Sequence, residues 1–334
     1  MPAKQKVANI VSIPAPIGGW NVRDPLPNME PIFAPILDNV FCLPSELQVR
    51  KGYTKWAEFT GICKTIVDYD AASGNELLIA CVDTATDSRL LDISTEGAVP
   101  TALVTGLTSA EFKHCHFATS GGYFSYYVNN SDSAILYDGT TWRTVTTTSS
   151  PYAITGYTNT IFMDVVSHKR RLWFVPDNSL KAYYLPTDSI AGALQSFDFA
   201  PIFSKGGHIV KIDTWSLDAG TGLDDYFVVF TTEGEVAVYS GTDPATASTW
   251  QLTGVFYIGT PTGSVGHTCK YGGDLLIINK DGIAQMSKSL MSSRVNTWLQ
   301  LTDKIQPQLA SDTTVYKNNF GWDLMLYPPN NMLL

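Results

Sequence analysis

The chain predicts an all-β fold, a six-bladed β-propeller with four-stranded antiparallel blades and a proline-rich extended N-terminal arm. Six short apolar cores recur near Leu78, Phe124, Trp173, Val228, Leu276 and Leu324, at intervals of 46, 49, 55, 48 and 48 residues. A period of roughly 40 to 50 residues rich in β-branched and aromatic side chains is the signature of propeller blades. Turn residues of hairpin type separate the strand-like runs within each unit. The first 46 residues break the pattern, holding Pro2, Pro14, Pro16, Pro25, Pro27, Pro31, Pro35 and Pro44. Each proline removes a backbone donor, so residues 1–46 are read as an extended arm and 47–334 as the propeller.

In chain order, Leu47 to Lys51 and Lys55 to Phe59 are two strand-like segments with no inner strands of their own. The second repeat is the clearest, with strands over Phe112 to Phe117, Tyr123 to Val128, Ala134 to Tyr137 and Thr141 to Val145. Asn129 to Asp132 and Asp138-Gly139 supply the turns between its later strands, Asp-Gly being suited to the positive φ angles of a tight hairpin. The fourth unit runs His208 to Asp213, Tyr226 to Phe230, Val236 to Tyr239 and Trp250 to Phe256. The fifth runs Val265 to Lys270, Leu275 to Ile278, Ile283 to Met286 and Trp298 to Leu301. Ser287 to Arg294 is the best helical candidate. A sixth unit begins with Thr314 to Tyr316 and Trp322 to Tyr327 but stops at Leu334. Residues 47–59 are therefore expected to complete the last blade and remove its open edges. The competing reading is that the chain is a piece of something longer.

Composition narrows the function classes. Hydrophobic residues make up 44%, aromatic residues 12% and charged residues only 16%, which describes a packed globular chain rather than a disordered one. Five cysteines without a Cys-x-x-Cys pair suggest neither a disulfide framework nor a zinc ribbon, and so a protein made in a reducing cytoplasm. No segment approaches the ~18 apolar residues of a membrane span, so no membrane insertion is expected. The net charge of -9 argues against a dedicated nucleic-acid binder, though not against a surface that DNA passes without sticking.

The arm carries an ordered set of motifs: Gly18-Gly19-Trp20-Asn21-Val22-Arg23-Asp24-Pro25, then Leu37-Asp38-Asn39-Val40-Phe41, then Val49-Arg50-Lys51-Gly52-Tyr53. This order resembles the opening of tail nozzle or tail tubular proteins, virion structural proteins of short-tailed bacteriophages. The resemblance covers residues 18–53, and the family proteins are often longer than this chain. It implies a structural part of the tail that assembles with other copies of itself, as a hexameric ring, and with adaptor and fibre proteins. It also implies synthesis in the host cytoplasm, residence in the virion, a conduit that DNA crosses during ejection without specific binding, and no cofactor. Gly18, Gly19, Asn21, Arg23, Asp24, Asp38, Asn39, Phe41, Arg50 and Gly52 are the candidate assembly residues. Within the arm, Gly18-Gly19 allows a bend, Asp38 and Arg50 are placed to pair, and Gly52 to release the chain into the first strand.

Other constellations point less clearly to chemistry. His114 and His116 are two apart, so a strand turns both to one face, which is ligand spacing. A third ligand is lacking unless His267 or Cys115 supplies it, so strand histidines facing a channel or core are favoured and no metal is expected. His168-Lys169-Arg170-Arg171 reads as a solvated hairpin. Asp224-Asp225 and Glu233 with Glu235 flank one hairpin and read as solubilising turn charges. Asp138-Gly139 lacks the residue that an Asp box places between Asp and Gly, and reads as a plain hairpin with Trp142 packed into the blade. Gly259 to Gly266 lacks the Lys-Ser/Thr of a phosphate loop. Neither a nucleophile elbow nor a catalytic triad stands out. A glycan-hydrolysing propeller or a glycan- or protein-binding propeller are the alternatives, the first requiring clustered acidic and aromatic side chains at the narrow end of the ring.

Overall fold

The computed structural model describes residues 12–71, 74–217, 225–262, 268–289, 301–330 and 332–334. Four consecutive antiparallel four-stranded sheets form blades one to four. Blade one contains Ile62–Tyr69, Leu77–Asp83, Ser88–Asp92 and Thr101–Leu107; blade two contains Lys113–Thr119, Gly122–Val128, Ile135–Tyr137 and Trp142–Thr144. Blade three contains Asp164–His168, Arg171–Val175, Lys181–Tyr184 and Gln195–Asp198; blade four contains Ile209–Trp215, Tyr226–Thr231, Glu235–Gly241 and Trp250–Tyr257. Blade five has three strands among the described residues, Thr268–Tyr271, Asp274–Asn279 and Gly282–Gln285. Part of its expected first strand and most of the expected Trp298 to Leu301 strand lie outside the described residues.

The described residues therefore form five blades, not the six expected. Thr314 to Tyr316, read as the first strand of a sixth unit, instead ends an α-helix over Gln306–Tyr316. Pro307 sits in the first turn of that helix, where its missing N–H costs nothing. Beyond it, among the described residues, Leu326–Tyr327 and Met332–Leu333 pair as a two-residue ribbon. The strands expected to close the ring are used elsewhere. Leu47–Val49 pairs with Val40–Cys42 in a hairpin that straddles residue 46, and 55–59 forms no strand. The helix expected over Ser287 to Arg294 is seen as a single turn, Met286–Ser289, the rest lying outside the described residues.

Packing explains why the blades sit side by side. The second strand of each blade is a nearly unbroken apolar run that is buried on both faces. Each pair of adjacent blades shares one apolar cluster. Phe112, Tyr127, Tyr137 and Ile79 fill the seam between blades one and two, and Tyr126, Phe162, Phe174 and Leu172 that between two and three. Between blades three and four, Trp173 lies with ring centroids 4.7 Å from Tyr184, 4.4 Å from Phe227 and 6.0 Å from Trp250. Val236, Ile258, Leu275 and Met286 fill the seam between blades four and five.

Turn chemistry held where it was expected. Gly139 takes φ +89°, the Asp138 carboxylate accepts the amides of Thr140 and Thr141 at 3.1 and 2.8 Å, and Trp142 stacks on Tyr137 with centroids 4.4 Å apart. The basic run forms the expected hairpin, Lys169 and Arg170 turning at φ 48° and 60° between paired His168 and Arg171. His168 itself is buried, with Nδ1 2.9 Å from the Thr214 hydroxyl.

Two predictions follow from this core. Trp173→Ala removes a fully buried indole and is expected to cost about 3–5 kcal/mol, read from the midpoint of urea unfolding. Burial pushes the His168 imidazole down to about 3. The unfolded chain, with a value near 6.5, takes up a proton that the folded chain refuses. Stability is expected to be full above pH 6.5 and to fall toward pH 3, with a slope of at most about 1.4 kcal/mol per pH unit. His168→Phe should flatten that acid limb.

Candidate functional site: the N-terminal clasp and the polar axis

The first motif folds into a compact clasp. Gly18 donates to the Ile32 carbonyl at 2.7 Å, and Gly19-Trp20 pairs in parallel with Phe33-Ala34. An alanine Cβ at Gly18 would lie 2.8 Å from the Ile32 oxygen, so the close approach requires glycine there. Gly19 provides the bend with φ +95°. Asn21 is fully buried, and its Oδ1 accepts the amides of Arg23 and Asp24, each at 3.1 Å, while its Nδ2 donates to Asp24 at 2.9 Å. This Asx turn fixes the backbone that aims the next two side chains.

Those side chains reach the far end of the sequence. The Arg23 guanidinium forks onto Asp24 at 2.8 and 3.2 Å and also pairs with Asp303, 280 residues away. Lys304 Nζ donates to Asp24 at 2.9 Å and stands 5.1 Å from the Phe33 ring centroid, while its carbonyl accepts the amides of Val22 and Arg23 at 3.0 and 3.2 Å. Arg23, Asn21 and Lys304 together hold the Asp24 carboxyl far below the usual carboxylate range. Asp24 and Asp303 raise the Arg23 guanidinium in turn.

The second and third motif pieces meet through the backbone, not through the expected side-chain pair. Arg50 N–H donates to the Asn39 carbonyl at 2.8 Å, and Phe41 pairs with Gln48 across the hairpin. Asn39 takes φ 57°, which asparagine tolerates. No ion pair joins Asp38 and Arg50 among the described residues, and both side chains are exposed. Gly52 lies in open space, with no atom within 4 Å of an added Cβ, so its place does not demand glycine.

The first strands of blades two, three and four run beside one another and form a polar axis. The buried Asp164 carboxylate accepts from Lys211 Nζ at 2.9 Å and from the Ile212 amide at 3.4 Å. Burial pulls the Lys211 ammonium down, but Asp164 and Asp213 outweigh it and hold the group charged. Asp213 accepts the Thr268 hydroxyl of blade five. Lys113, on blade two, is pushed down by its burial and by the like charge of Lys211. None of these polar contacts was legible in the sequence, because each joins different blades.

Two of the four carboxylates read as solubilising turn charges, Asp225 and Glu235, are buried, which corrects that expectation for them. Glu235 is 5% exposed, and its carboxylate accepts the Ser204 amide and hydroxyl at 3.2 and 2.6 Å and the Lys205 amide at 2.8 Å, fastening that loop. Asp225 is 7% exposed and accepts the Ser216 hydroxyl. Glu233 is exposed, and Asp224 lies outside the described residues. His114 and His116 do share a face. Their third neighbour is Asp68 of blade one, while Cys115 points to the opposite face and His267 lies outside the described residues.

Neither a family model nor a curated protein matches this chain. Among solved structures it is similar to the BBS1N–ARL6DN complex at TM-score 0.42 and 14% identity, covering 72% of this chain and 66% of that one. It is also similar to putative 6-phosphogluconolactonases from Bacteroides fragilis, at TM-score 0.44 and 11% identity over 72% of this chain and 69% of that one. The Bacteroides uniformis protein gives TM-score 0.43 and 11% identity over 73% and 71%. Likenesses this distant carry no functional information.

The clasp makes an acid-resistance prediction. The folded value of Asp24 is depressed, so its contribution is full above the ordinary carboxylate range near pH 4 and is lost only in stronger acid. Limited proteolysis of the arm is expected to be unchanged between pH 7 and pH 5. Asp24→Asn or Arg23→Ala should speed cleavage within residues 12–45 several-fold at neutral pH.

Proposed function

We propose that the chain is a structural component of a short bacteriophage tail, of the nozzle or tail-tube type, built into the virion after synthesis in the host cytoplasm. The observation that carries this reading is the motif segment itself. Its first piece forms the clasp, its second and third pieces meet across one hairpin, and the segment 36–53 turns large apolar side chains outward. Ile36 is 77% exposed, Val49 71% and Tyr53 90%. Ile62 and Ile66, on the first strand of blade one, are 66% and 61% exposed. Exposed apolar residues are ordinary on a monomer, and three of them in a segment with family-like motifs suit a subunit contact.

The occupant we assign to this surface is a neighbouring copy of the same chain in a ring, with adaptor and fibre proteins above and below. The role is mechanical: rigid blades hold the loops in place and the hairpin at 40–49 meets the neighbour. The net charge of -9 suits a conduit wall that DNA passes without being held.

Electron microscopy of the particle tests this. The five-bladed disc is expected in a ring of copies at the tail, with residues 36–53 at the subunit boundary. Val49→Asp is expected to leave the isolated chain folded and to block its incorporation. Absence of the chain from purified particles by mass spectrometry, or density for it away from the tail, would overturn the reading.

A further inference from the structure

Asp68, on the first strand of blade one, stands against two histidines on the first strand of blade two. The His114 Nε2 lies 3.0 Å and the His116 Nε2 3.6 Å from the same Asp68 carboxylate oxygen. All three donor atoms lie within 4.8 Å of one another. A tetrahedral zinc-class ion with metal–ligand bonds of about 2.0–2.1 Å requires ligand atoms roughly 3.3 Å apart, so the donors stand within a few tenths of an ångström of that spacing on two edges.

The supporting structure is rigid. Residues 114 and 116 are paired in register with Tyr127 and Ser125, so the pleat turns both imidazoles to one face. The His114 ring stacks on Tyr127 at 5.9 Å, the Tyr69 ring lies edge-on 6.3 Å from His116, and the Tyr127 hydroxyl donates to the Asp68 carbonyl at 3.2 Å. Side-chain exposures of 26%, 37% and 57% for His114, His116 and Asp68 leave room for an ion to enter and for water to complete its coordination. Borderline nitrogen and carboxylate donors in this number suit zinc, cobalt or nickel rather than calcium or magnesium.

We propose that Asp68, His114 and His116 form a mononuclear site for a divalent transition-metal ion of the zinc class that ties blade one to blade two. The ion would cross-link two strands 46 residues apart in sequence, and so stabilise the folded chain over the unfolded one. The proposal is independent of the tail reading.

The test uses the full chain, stripped with a chelator and titrated with Co2+. A single Co2+ per chain is expected, with visible ligand-field absorption, and Zn2+ should displace it. Zinc should raise the Tm of the wild type. Asp68→Asn, nearly isosteric, and His114→Ala should each weaken binding by roughly tenfold or more and abolish the zinc-dependent rise in Tm. His208→Ala, outside the cluster, should leave both unchanged. Circular dichroism establishes that each variant is folded, and Asp68→Asn carries the test if His114→Ala is not. A folded wild-type chain that takes up no stoichiometric Co2+ overturns the proposal, as does uptake unaffected by Asp68→Asn.

Discussion

A sheet whose middle strands are apolar on both faces must have a neighbour on each side. Blades two, three and four satisfy this by packing on one another. Among the described residues, blades one and five each have one face without a blade against it, and other segments of the chain cover that face. Ala57 and Phe59 cover Ala80, Val82, Leu91 and Ile93 on blade one, and the Trp56 indole donates to the Ile93 carbonyl at 2.8 Å. Trp322, Leu324 and Leu333 cover Leu276 and Ile278 on blade five. Short segments do at the two flanks what a further blade would do with strands.

Covering the flanks does not by itself join them, and the clasp is what ties the N-terminal arm to the segment after blade five. Arg23 and Lys304 face Asp24 and Asp303, so cations and anions alternate and little net charge is left in the partly buried site. Asn21 makes that arrangement possible by fixing the turn, which is why a fully buried asparagine sits in the arm. Thr313 secures the adjoining helix by donating to the Lys280 carbonyl at 3.2 Å, on the last turn of blade five.

Buried polar groups elsewhere serve the same end of holding separate elements in register. Asp164 with Lys211 joins blades three and four, Asp213 with Thr268 joins four and five, and Glu235 pins the loop entering blade four. Each buried charge is matched by an opposite charge or by several donors, as burial demands. The seam between blades one and two has Asp68 and the two histidines at the matching position, where the partners are also metal-ligand types.

Sequence by itself determined the strands of blades two and four, the Asp138-Gly139 and Lys169-Arg170 hairpins, and the all-β class of the chain. Those features are written within a few residues, in the two-residue alternation of side chains and in turn chemistry that only certain residues permit. Tertiary structure alone decided the number of blades, the helix at 306–316, the pairing of 47–49 with 40–42, and the meeting of Arg23 with Asp303 and of Asp68 with His114 and His116. The apolar period near Leu324 was real, but it records a segment that covers a blade as faithfully as one that forms it. Apolar spacing reports what must be buried, and only the assembled fold settles what buries it.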